Sequence, residues 1–327
     1  MTDLKIKYMG LDLNNPIIVG SSSMTGGIDK LKQIEAAGAG AVVLKSIFEE
    51  QIMSEVKDLI DKSQNSYHPE AIDYINSMGT YHSRKEYLKL IEEAKKSVKI
   101  PVIASLNCIS KTYWIDYAKE IEKAGADAVE LNMFIIPANA ELDSNQIEDI
   151  YFGIHDQIRD IVKIPVALKI SPFITNLLRF AERSESKEVK ALVLFNRYYH
   201  FDIDIDKMSV VHGKLLTSPD EMSLSLRWVA LLANRYNLDI AATTGIHDSS
   251  AIIKQILAGA TAVQVVSALF YNGVEILNEL TEGLESWMKD HGFKTIADFR
   301  GKMSREKSDN PEIFERFQYI KALTGVE

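Results

Sequence analysis

A short motif occurs three times in the chain and restricts the folds that it can adopt. The motif is an Ala-Gly-Ala or similar step that leads into an apolar stretch, and its copies span 37–44, 124–131 and 258–265. Each copy follows a helical apolar pattern. Glycine ends a helix because it accepts a left-handed backbone, and alanine lets the helix pack closely on a sheet. The repeated helix-to-strand joint therefore indicates a chain built from βα units.

Five further apolar stretches complete a series of eight predicted strands. They are 16–20, 102–105, 166–170, 191–195 and 239–243, and helical patterns between the strands include 113–124, 147–162, 223–235 and 251–258. Nearly all-apolar strands that alternate with helices predict a parallel sheet covered on both faces. Eight such units predict an α/β protein with the closed TIM (β/α)₈ barrel. Because no linker or low-complexity tract interrupts the pattern, we expect one domain over residues 1–327.

Both ends of the chain carry patterns outside the barrel series. Apolar residues alternate from Leu4 to Leu13 on either side of Met9-Gly10, which predicts an N-terminal β-hairpin that plugs the barrel bottom. Asn310-Pro311 is a favourable helix start, and apolar residues recur on one face as far as Leu323. We expect this C-terminal helix to dock on the barrel or on a partner subunit.

Composition and charge exclude several classes of function. The 327 residues include 46 acidic and 37 basic side chains, and the resulting charge of −9 argues against broad nucleic-acid binding. No apolar run approaches the roughly 18 residues that cross a bilayer, and no signal peptide or amphipathic anchor precedes the first strand. Cys108 is the only cysteine, so an intrachain disulfide and a four-cysteine iron–sulfur site are impossible. We expect a cytoplasmic protein with no metal, nucleic-acid or membrane partner.

Polar residues follow the predicted strands at the ends where TIM barrels carry their chemistry. In chain order they are Gly20-Ser21-Ser22, Lys45-Ser46, Ser105, Asn132, Lys169, Asn196, Thr243-Thr244-Gly245 and Ser267. Any one of them could cap a helix or bond loop backbone. Buried polar groups need partners, however, so the whole set indicates one pocket for a polar ligand. Residues after strands seven and eight, 243–245 and 266–267, are typical of a phosphate site, although many barrels bind phosphate there.

In combination these residues resemble the dihydroorotate dehydrogenase family, from the hairpin to about Met303. The matching segments are Asn15-Pro16, Gly20-Ser21-Ser22, Lys45-Ser46, Asn76-Ser77-Met78-Gly79, Ile103-Ala104-Ser105, Glu130-Leu131-Asn132, Lys169, Asn196, Gly245-Ile246, 263–269 and Ile296-Ala297-Asp298-Phe299. The stretch from Ile103 to Asn132 is most similar to the dihydropyrimidine dehydrogenase branch.

The resemblance implies an FMN-dependent oxidoreductase of pyrimidine biosynthesis that forms a homodimer and acts on a small planar anion. It implies catalytic roles for Lys45, Asn132 and Asn196. The implied FMN contacts are Gly20, Ser21, Ser22, Lys45, Ser46, Asn76, Ser105, Asn132, Lys169, Asn196, Thr243, Thr244, Gly245, Val266, Ser267 and Ala268. The implied substrate contacts are Asn76, Met78, Gly79, Asn139 and Arg197.

Three departures from the family bear on activity. The family has a cysteine or serine base before a proline after strand four, but here Ile136 precedes Pro137 in a run that is two residues longer. General-base assistance is worth roughly 10²–10⁴-fold, so its loss nearly silences dihydroorotate oxidation unless another group substitutes. Arg197 stands where the family has serine or threonine. Thr244 replaces a glycine, which we expect to be tolerated only if its φ is negative.

Several side chains could substitute for the missing base. Cys108 follows strand three, but a lone cysteine is more often an inert core residue. Residues 198–200, Tyr-Tyr-His, could fold over the pocket and are interpreted as a packed lid. His82 is expected at the surface.

Three functions remain open from the sequence. The first is an FMN-dependent oxidoreductase that acts on dihydroorotate or another planar anion. The second is a flavin-binding barrel without turnover of its own, serving as a partner or regulatory subunit. The third is a flavin-free phosphate-binding aldolase or isomerase with Lys45 or Lys169 as a Schiff-base nucleophile.

Overall fold

A computed structural model describes residues 2–49, 84–107, 114–197 and 201–314, together with 320, 324 and 325. The strands are β1 (Ile6–Tyr8), β2 (Leu11–Leu13), β3 (Ile17–Val19), β4 (Ala41–Val43), β5 (Ile47–Phe48), β6 (Val102–Asn107), β7 (Ala128–Asn132), β8 (Val166–Ile170), β9 (Ala191–Leu194), β10 (Phe201–Asp204), β11 (Ser209–His212), β12 (Asp239–Ala242) and β13 (Ala262–Val265). The α-helices are α1 (Ile28–Ala36), α2 (Arg84–Ser97), α3 (Trp114–Lys123), α4 (Ser144–Arg159), α5 (Leu177–Ser186), α6 (Met222–Leu232), α7 (Ser249–Ala258), α8 (Ser267–Asn272) and α9 (Ile276–Asp290). Short 3₁₀ helices span Ser23–Thr25, Pro219–Glu221, Ile296–Asp298, Arg305–Lys307 and Pro311–Phe314.

Eight parallel strands close into a barrel. In ring order they are β3, β4, β6, β7, β8, β9, β12 and β13, and β13 pairs with β3 to complete the circle. The short strand β5 pairs with the end of β6. This arrangement confirms the predicted (β/α)₈ barrel, and each predicted barrel strand overlaps an observed one.

The three motif glycines act as the sequence predicts. Their φ angles are 88° at Gly38, 97° at Gly125 and 123° at Gly259, all in the region that side chains disfavour. At Gly259 a Cβ would also lie 2.2 Å from the Cβ of Ala233. Each glycine therefore ends a helix and returns the chain to the barrel.

The N-terminal hairpin fills the bottom of the barrel. Tyr8 and Leu13 are each 1% exposed and belong to one cluster with the small inward-facing residues of the strands. These inward residues include Ala41, Ala128, Ala167, Ala191, Ala241 and Ala262. Alanine at so many inward positions leaves room for the ring of Tyr8, and the backbone N–H of Met9 donates to the carboxylate of Asp239 at 2.7 Å. The predicted plug is confirmed.

One hairpin was not predicted from the sequence, and only a small part of the predicted C-terminal helix is described. An antiparallel hairpin, β10 and β11, follows β9 and was not predicted. A 3₁₀ helix begins at Pro311, where the C-terminal helix was expected to start, and most of the predicted helix lies outside the described residues. Within the described ranges, no helix combines the length and apolar character that crossing a membrane requires.

Candidate active site

A buried polar layer crosses the barrel interior near the carboxyl ends of its strands. The ammonium of Lys169 donates to Oε1 of Gln264 at 2.8 Å and lies 3.5 Å from Oε1 of Glu130. The amide of Gln264 donates in turn to the other carboxylate oxygen of Glu130. All three residues are buried, and a charge buried this way is tolerated only when it is paired and hydrogen-bonded. The layer therefore fixes the position of the Lys169 ammonium.

The register of the strands explains why these side chains meet. Glu130 and Asn132 are two residues apart on β7 and so point to the same face. Asn132 is the direct neighbour of Lys169 on β8. Inward-facing positions of adjacent strands thus place an amide, an ammonium and a carboxylate side by side.

A chain of serine hydroxyls joins three further strand ends. The Oγ atoms of Ser21 and Ser46 are 2.9 Å apart, and those of Ser46 and Ser105 are 2.7 Å apart. The side-chain amide of Asn132 donates to Oγ of Ser46 at 3.4 Å. Four predicted contact residues from different parts of the chain therefore form one network.

Tyr87 on α2 holds this network from behind. Its hydroxyl donates to the carbonyl of Ser105 at 3.1 Å and accepts from the N–H of the same residue at 2.8 Å. Burial raises the pKa of Tyr87 well above its usual value, so the hydroxyl stays protonated and continues to donate.

Two polar groups at the site are left without a bond inside the described part of the chain. Oδ1 of Asn132 is buried and accepts no hydrogen bond. Lys45 is half-buried with its aliphatic part beside Gly26, and its ammonium makes no ion pair with any residue described. Buried polar atoms are nearly always paired in native proteins, so the oxygen of Asn132 points to a ligand.

Asn196 ties three strand ends together. It follows β9, and its side-chain amide donates to the carbonyl of Met133 at 2.9 Å and to the carbonyl of Lys169 at 3.2 Å. The loops after β7 and β8 are thereby held against the end of β9.

The end of β13 lies between those of β12 and β3, as the barrel order requires. Gly20 packs against Val266, and a Cβ at Gly20 would lie 2.8 Å from Cγ2 of that valine. Oγ of Ser267 accepts from the N–H of Thr217 at 2.9 Å, and Ala268 is buried beside it. The hydroxyl of Thr217 also bonds Nε2 of His247 at 2.9 Å, and burial lowers the pKa of this histidine.

Some residues predicted to contact FMN or substrate lie apart from the buried polar layer and the serine network. Oγ of Ser22 accepts from the N–H of Met24 and caps the short helix that follows. Asn139 is exposed, and its Oδ1 accepts from the N–H of Glu141 at 2.9 Å. The predicted contacts at Asn76, Met78 and Gly79 lie outside the described residues, as do His82, Cys108 and 198–200.

Arg197 has a different environment from the one expected for a substrate contact. Its Nε donates to Oε2 of Glu221 at 3.0 Å, and its terminal nitrogens donate to the carbonyls of residues 214–216 and to Oε1 of Glu221. All five guanidinium N–H groups are therefore engaged by this loop and this carboxylate. In this arrangement the arginine clamps the loop that leads into α6, and its contact with a substrate stays a prediction.

A family model described as dihydroorotate dehydrogenase matches residues 3–288. The chain belongs to the dihydroorotate dehydrogenase family. Similar curated proteins are named dihydroorotate dehydrogenase B (NAD(+)), catalytic subunit. That of Thermoplasma volcanium is 28% identical over 309 residues, covering 92% of this chain and 98% of that protein. Those of Pyrococcus furiosus and Methanothermobacter thermautotrophicus are each 26% identical, covering 91% of this chain and 98% and 97% of the relatives. The resemblance inferred from the motifs is confirmed.

Dihydroorotate dehydrogenases are flavoprotein oxidoreductases, and the residues present fit a flavin. The buried Oδ1 of Asn132 needs a donor, which the ring of a flavin carries. The fixed ammonium of Lys169 matches a ring edge that gains negative charge on reduction.

The position that carries the catalytic base in dihydroorotate dehydrogenases has no proton acceptor in this chain. Ile136 is 57% exposed in the loop between β7 and α4. An alkyl side chain cannot take a proton. Among the described residues, no group of three or more His, Cys, Asp or Glu side chains could hold a metal ion.

The condition expected for Thr244, a negative φ, is not met. Its φ is 70°, and Gly245 follows with a φ of 69°. Two successive left-handed residues turn the chain from β12 toward α7. The hydroxyl of Thr244 donates to the carbonyl of Thr243, which offsets part of the strain locally.

Glu130 and Gln264 were not predicted as site residues. They were noted only within the repeated motif and within the segments that resemble the family. A usable signal was present, since each is a single polar residue in an apolar strand and Glu130 lies two positions before Asn132. No comparable sequence signal marked Tyr87, because the apolar pattern of its helix is that of an ordinary amphipathic helix.

Proposed function

We propose that the chain, as one barrel domain over residues 1–327, binds FMN and interconverts dihydroorotate and orotate or a closely related pair of planar anions. The observation that carries this proposal is the fixed Lys169 ammonium beside the unpartnered oxygen of Asn132 at the carboxyl end of the barrel. Membership of the dihydroorotate dehydrogenase family and the names of the relatives support it. FMN, when bound, would supply hydride transfer to or from the substrate.

The chain's own residues would bind and orient both ligands. Lys169, held by Glu130 and Gln264, would stabilise negative charge at one edge of the flavin. Asn132 would hold that edge through Oδ1, and Ser21, Ser46 and Ser105 would line its side. Thr243-Thr244-Gly245 and Val266-Ser267-Ala268 would hold the phosphate. Lys45, with a free ammonium in the described part of the chain, would face the substrate anion, and Asn196 would complete the pocket.

The isoleucine before Pro137 affects the rate of the reaction. Oxidation of dihydroorotate requires loss of a proton as well as a hydride, and Ile136 cannot receive the proton. We therefore propose that oxidation is slow by roughly 10²–10⁴-fold relative to a member with a serine or cysteine there. Reduction of the double bond is slowed by the same factor, because the group that accepts the proton in one direction delivers it in the other.

The proposal is tested on the purified protein reconstituted with FMN. We expect visible flavin absorbance that bleaches under anaerobic conditions on adding dihydroorotate, with orotate returning the colour to the photochemically reduced protein. The matched variant is Asn132→Ala, which removes the unpartnered oxygen and is expected to lower FMN affinity about tenfold. Absence of bound flavin after reconstitution would remove the proposal.

One observation favours a second candidate. Because Ile136 removes the base, the protein could hold FMN without turnover of its own and act as a partner subunit. This candidate predicts a yellow protein that neither dihydroorotate nor a panel of pyrimidines and enones can bleach. Turnover with any of them excludes it.

We propose further that two copies of the chain form a homodimer through the β10–β11 hairpin. Phe201, Ile203 and Val210 lie on one face of this hairpin and are 70%, 57% and 71% exposed. Ile205 and Met208 extend the apolar surface at the tip. Monomers rarely leave a contiguous apolar surface of this kind in water. A flat two-stranded face can pair with the same face of a second copy about a two-fold axis, as a symmetric dimer requires.

The dimer is tested by light scattering coupled to size-exclusion chromatography. We expect the wild-type protein to elute with twice the mass of the 36.7 kDa chain. Val210→Lys, on the apolar face, is expected to weaken the dimer at least tenfold, because a charge would be buried without a partner. Ser209→Lys adds the same charge to the opposite face and should leave the mass unchanged. A monomeric wild-type protein, or equal effects of the two variants, would contradict the proposal.

A further inference from the structure

A short loop connects the β10–β11 hairpin to the 3₁₀ helix before α6, and we call its residues 213–218 the strap. Arg197, which follows the end of β9, holds the first half of the strap. Its terminal nitrogens donate to the carbonyls of residues 214–216 at 2.8, 3.0 and 3.3 Å. Its Nε donates to Oε2 of Glu221, just beyond the strap, at 3.0 Å. One guanidinium therefore ties three successive peptide groups of the strap to the end of β9.

The second half of the strap lies against both segments of the proposed phosphate site. The N–H of Thr217 donates to Oγ of Ser267 at 2.9 Å, and the hydroxyl of Thr217 bonds Nε2 of His247 at 2.9 Å. Beyond the strap, the backbone nitrogen of Met222 would lie 2.2 Å from a Cβ built on Gly245. The turn after β12 and the start of α8 are thus both in contact with the strap or with the helix that it enters.

The bond from Thr217 prepares Ser267 to bind an anion. Because Oγ of Ser267 accepts the N–H of Thr217, the hydroxyl hydrogen of Ser267 is directed elsewhere and can donate to a phosphate oxygen. Both residues are buried, which shields this bond from water. A donor held in position by a second residue binds its ligand better than one that rotates freely. Opening of the strap would remove this support and admit water to the phosphate end of the site.

Polar bonds rather than apolar packing hold the first half of the strap. Leu215 is 62% exposed, and Lys214 is exposed as well. A segment with few buried apolar contacts opens locally at a small cost unless hydrogen bonds hold it. The side chain of Arg197 is only 15% exposed, and shielded bonds from a charged donor are stronger than exposed ones. Serine or threonine, which the family has at this position, offers a single donor and cannot span three carbonyls.

We propose that Arg197 is a positioning residue that keeps the strap closed against the phosphate site and thereby slows the release of FMN. The inference rests on the proposed function, because it takes 243–245 and 266–268 as the residues that hold the phosphate. Arg197 acts through the strap, and Thr217 transmits its effect to Ser267. The departure from the family at this position thus has a role in retaining the cofactor.

Release of FMN from the reconstituted protein tests the proposal, measured as the return of flavin fluorescence after dilution. Arg197→Ala is expected to release FMN about tenfold faster than the wild type, because every bond from the guanidinium is lost. Arg197→Lys keeps the charge without the fork and is expected to release FMN roughly threefold faster, which tests the proposal even if the alanine variant does not fold. Arg183→Ala is the matched control, since Arg183 pairs with Glu148 and Asp149 away from the strap and should release FMN like the wild type. Equal release from the wild type and both Arg197 variants would overturn the proposal.

Hydrogen exchange of the flavin-free protein separates this inference from the proposed function. The amide of Thr217 is expected to exchange about tenfold faster in Arg197→Ala, while the amides of β8 exchange as in the wild type. Unchanged exchange in both Arg197 variants would show that the arginine does not hold the strap. A strap that opens in the variants without faster release of FMN would overturn the inference alone. A wild-type protein that binds no FMN would instead remove the proposed function, and the role of the strap in retention with it.

Discussion

Replacing Lys169 by methionine is expected to lower the free energy of unfolding by about 3–5 kcal/mol, measured by urea denaturation. Lys169 is 8% exposed, and its ammonium is the cation nearest to the Glu130 carboxylate, which is 1% exposed. Methionine fills a similar volume but leaves Glu130 charged and buried without a counter-charge. The same change removes the ammonium proposed to face the flavin, so bound FMN is expected to fall in parallel.

A second substitution distinguishes the charge effect from a packing effect. Adding Glu130→Gln to Lys169→Met removes the orphaned charge and is expected to recover more than half of the lost stability. It should not recover FMN binding, because the ammonium stays absent. Lys254→Met changes the same residue type on an exposed helix face and should alter stability by less than about 0.5 kcal/mol. A loss below 1 kcal/mol for Lys169→Met, or no recovery in the double variant, would show that the buried pair does not stabilise the barrel.

Gly245→Ala is expected to lower the free energy of unfolding by about 3 kcal/mol or more. A Cβ at this position would lie 2.2 Å from the backbone nitrogen of Met222, the first residue of α6. Because backbone cannot move aside as a side-chain tip can, α6 or the turn must shift. The φ of 69° adds a conformational cost for any side chain. The turn also belongs to the proposed phosphate site, so FMN affinity is expected to fall with stability.

Two variants divide this effect into its parts. Gly292 has a φ of 72° and no atom within 4 Å of a built Cβ, so Gly292→Ala measures the conformational cost alone, about 1 kcal/mol. Thr244→Gly relieves a left-handed threonine next to the same turn and is expected to stabilise the protein by about 1 kcal/mol. If Gly245→Ala costs no more than Gly292→Ala, the close approach to Met222 is not a constraint on the fold.

The fold was predictable because its determinants are local in sequence. The Ala-Gly-Ala joints, the apolar strands and the alternation around Met9-Gly10 depend on residues only a few positions apart. Each fixes a helix end, a strand or a turn through backbone sterics and hydrophobic periodicity. Eight units in series leave few arrangements other than a closed barrel. The unpredicted hairpin β10–β11 lies in an insertion after a strand, where the barrel pattern carries no information.

The candidate site was predictable only in part. The strand-end residues Lys45, Asn132, Lys169 and Asn196 could be found because strand ends converge in this fold. Their individual partners could not be found from spacing, since Gln264 contacts Glu130 across 134 positions of sequence. The guanidinium of Arg197 illustrates the same limit. A cation beside the pocket was interpreted as a substrate contact, and its spacing did not show that Glu221 and a loop of backbone carbonyls engage it.

The sequence by itself determined the barrel, the plug hairpin and the set of polar residues at the carboxyl ends of the strands. Tertiary structure alone decided which of those residues bond one another, that Thr244 adopts a left-handed backbone and that Glu221 engages the guanidinium of Arg197. Helix ends and strand alternation depend on neighbouring residues, whereas charge pairing and burial depend on which distant strands and loops the closed barrel brings together.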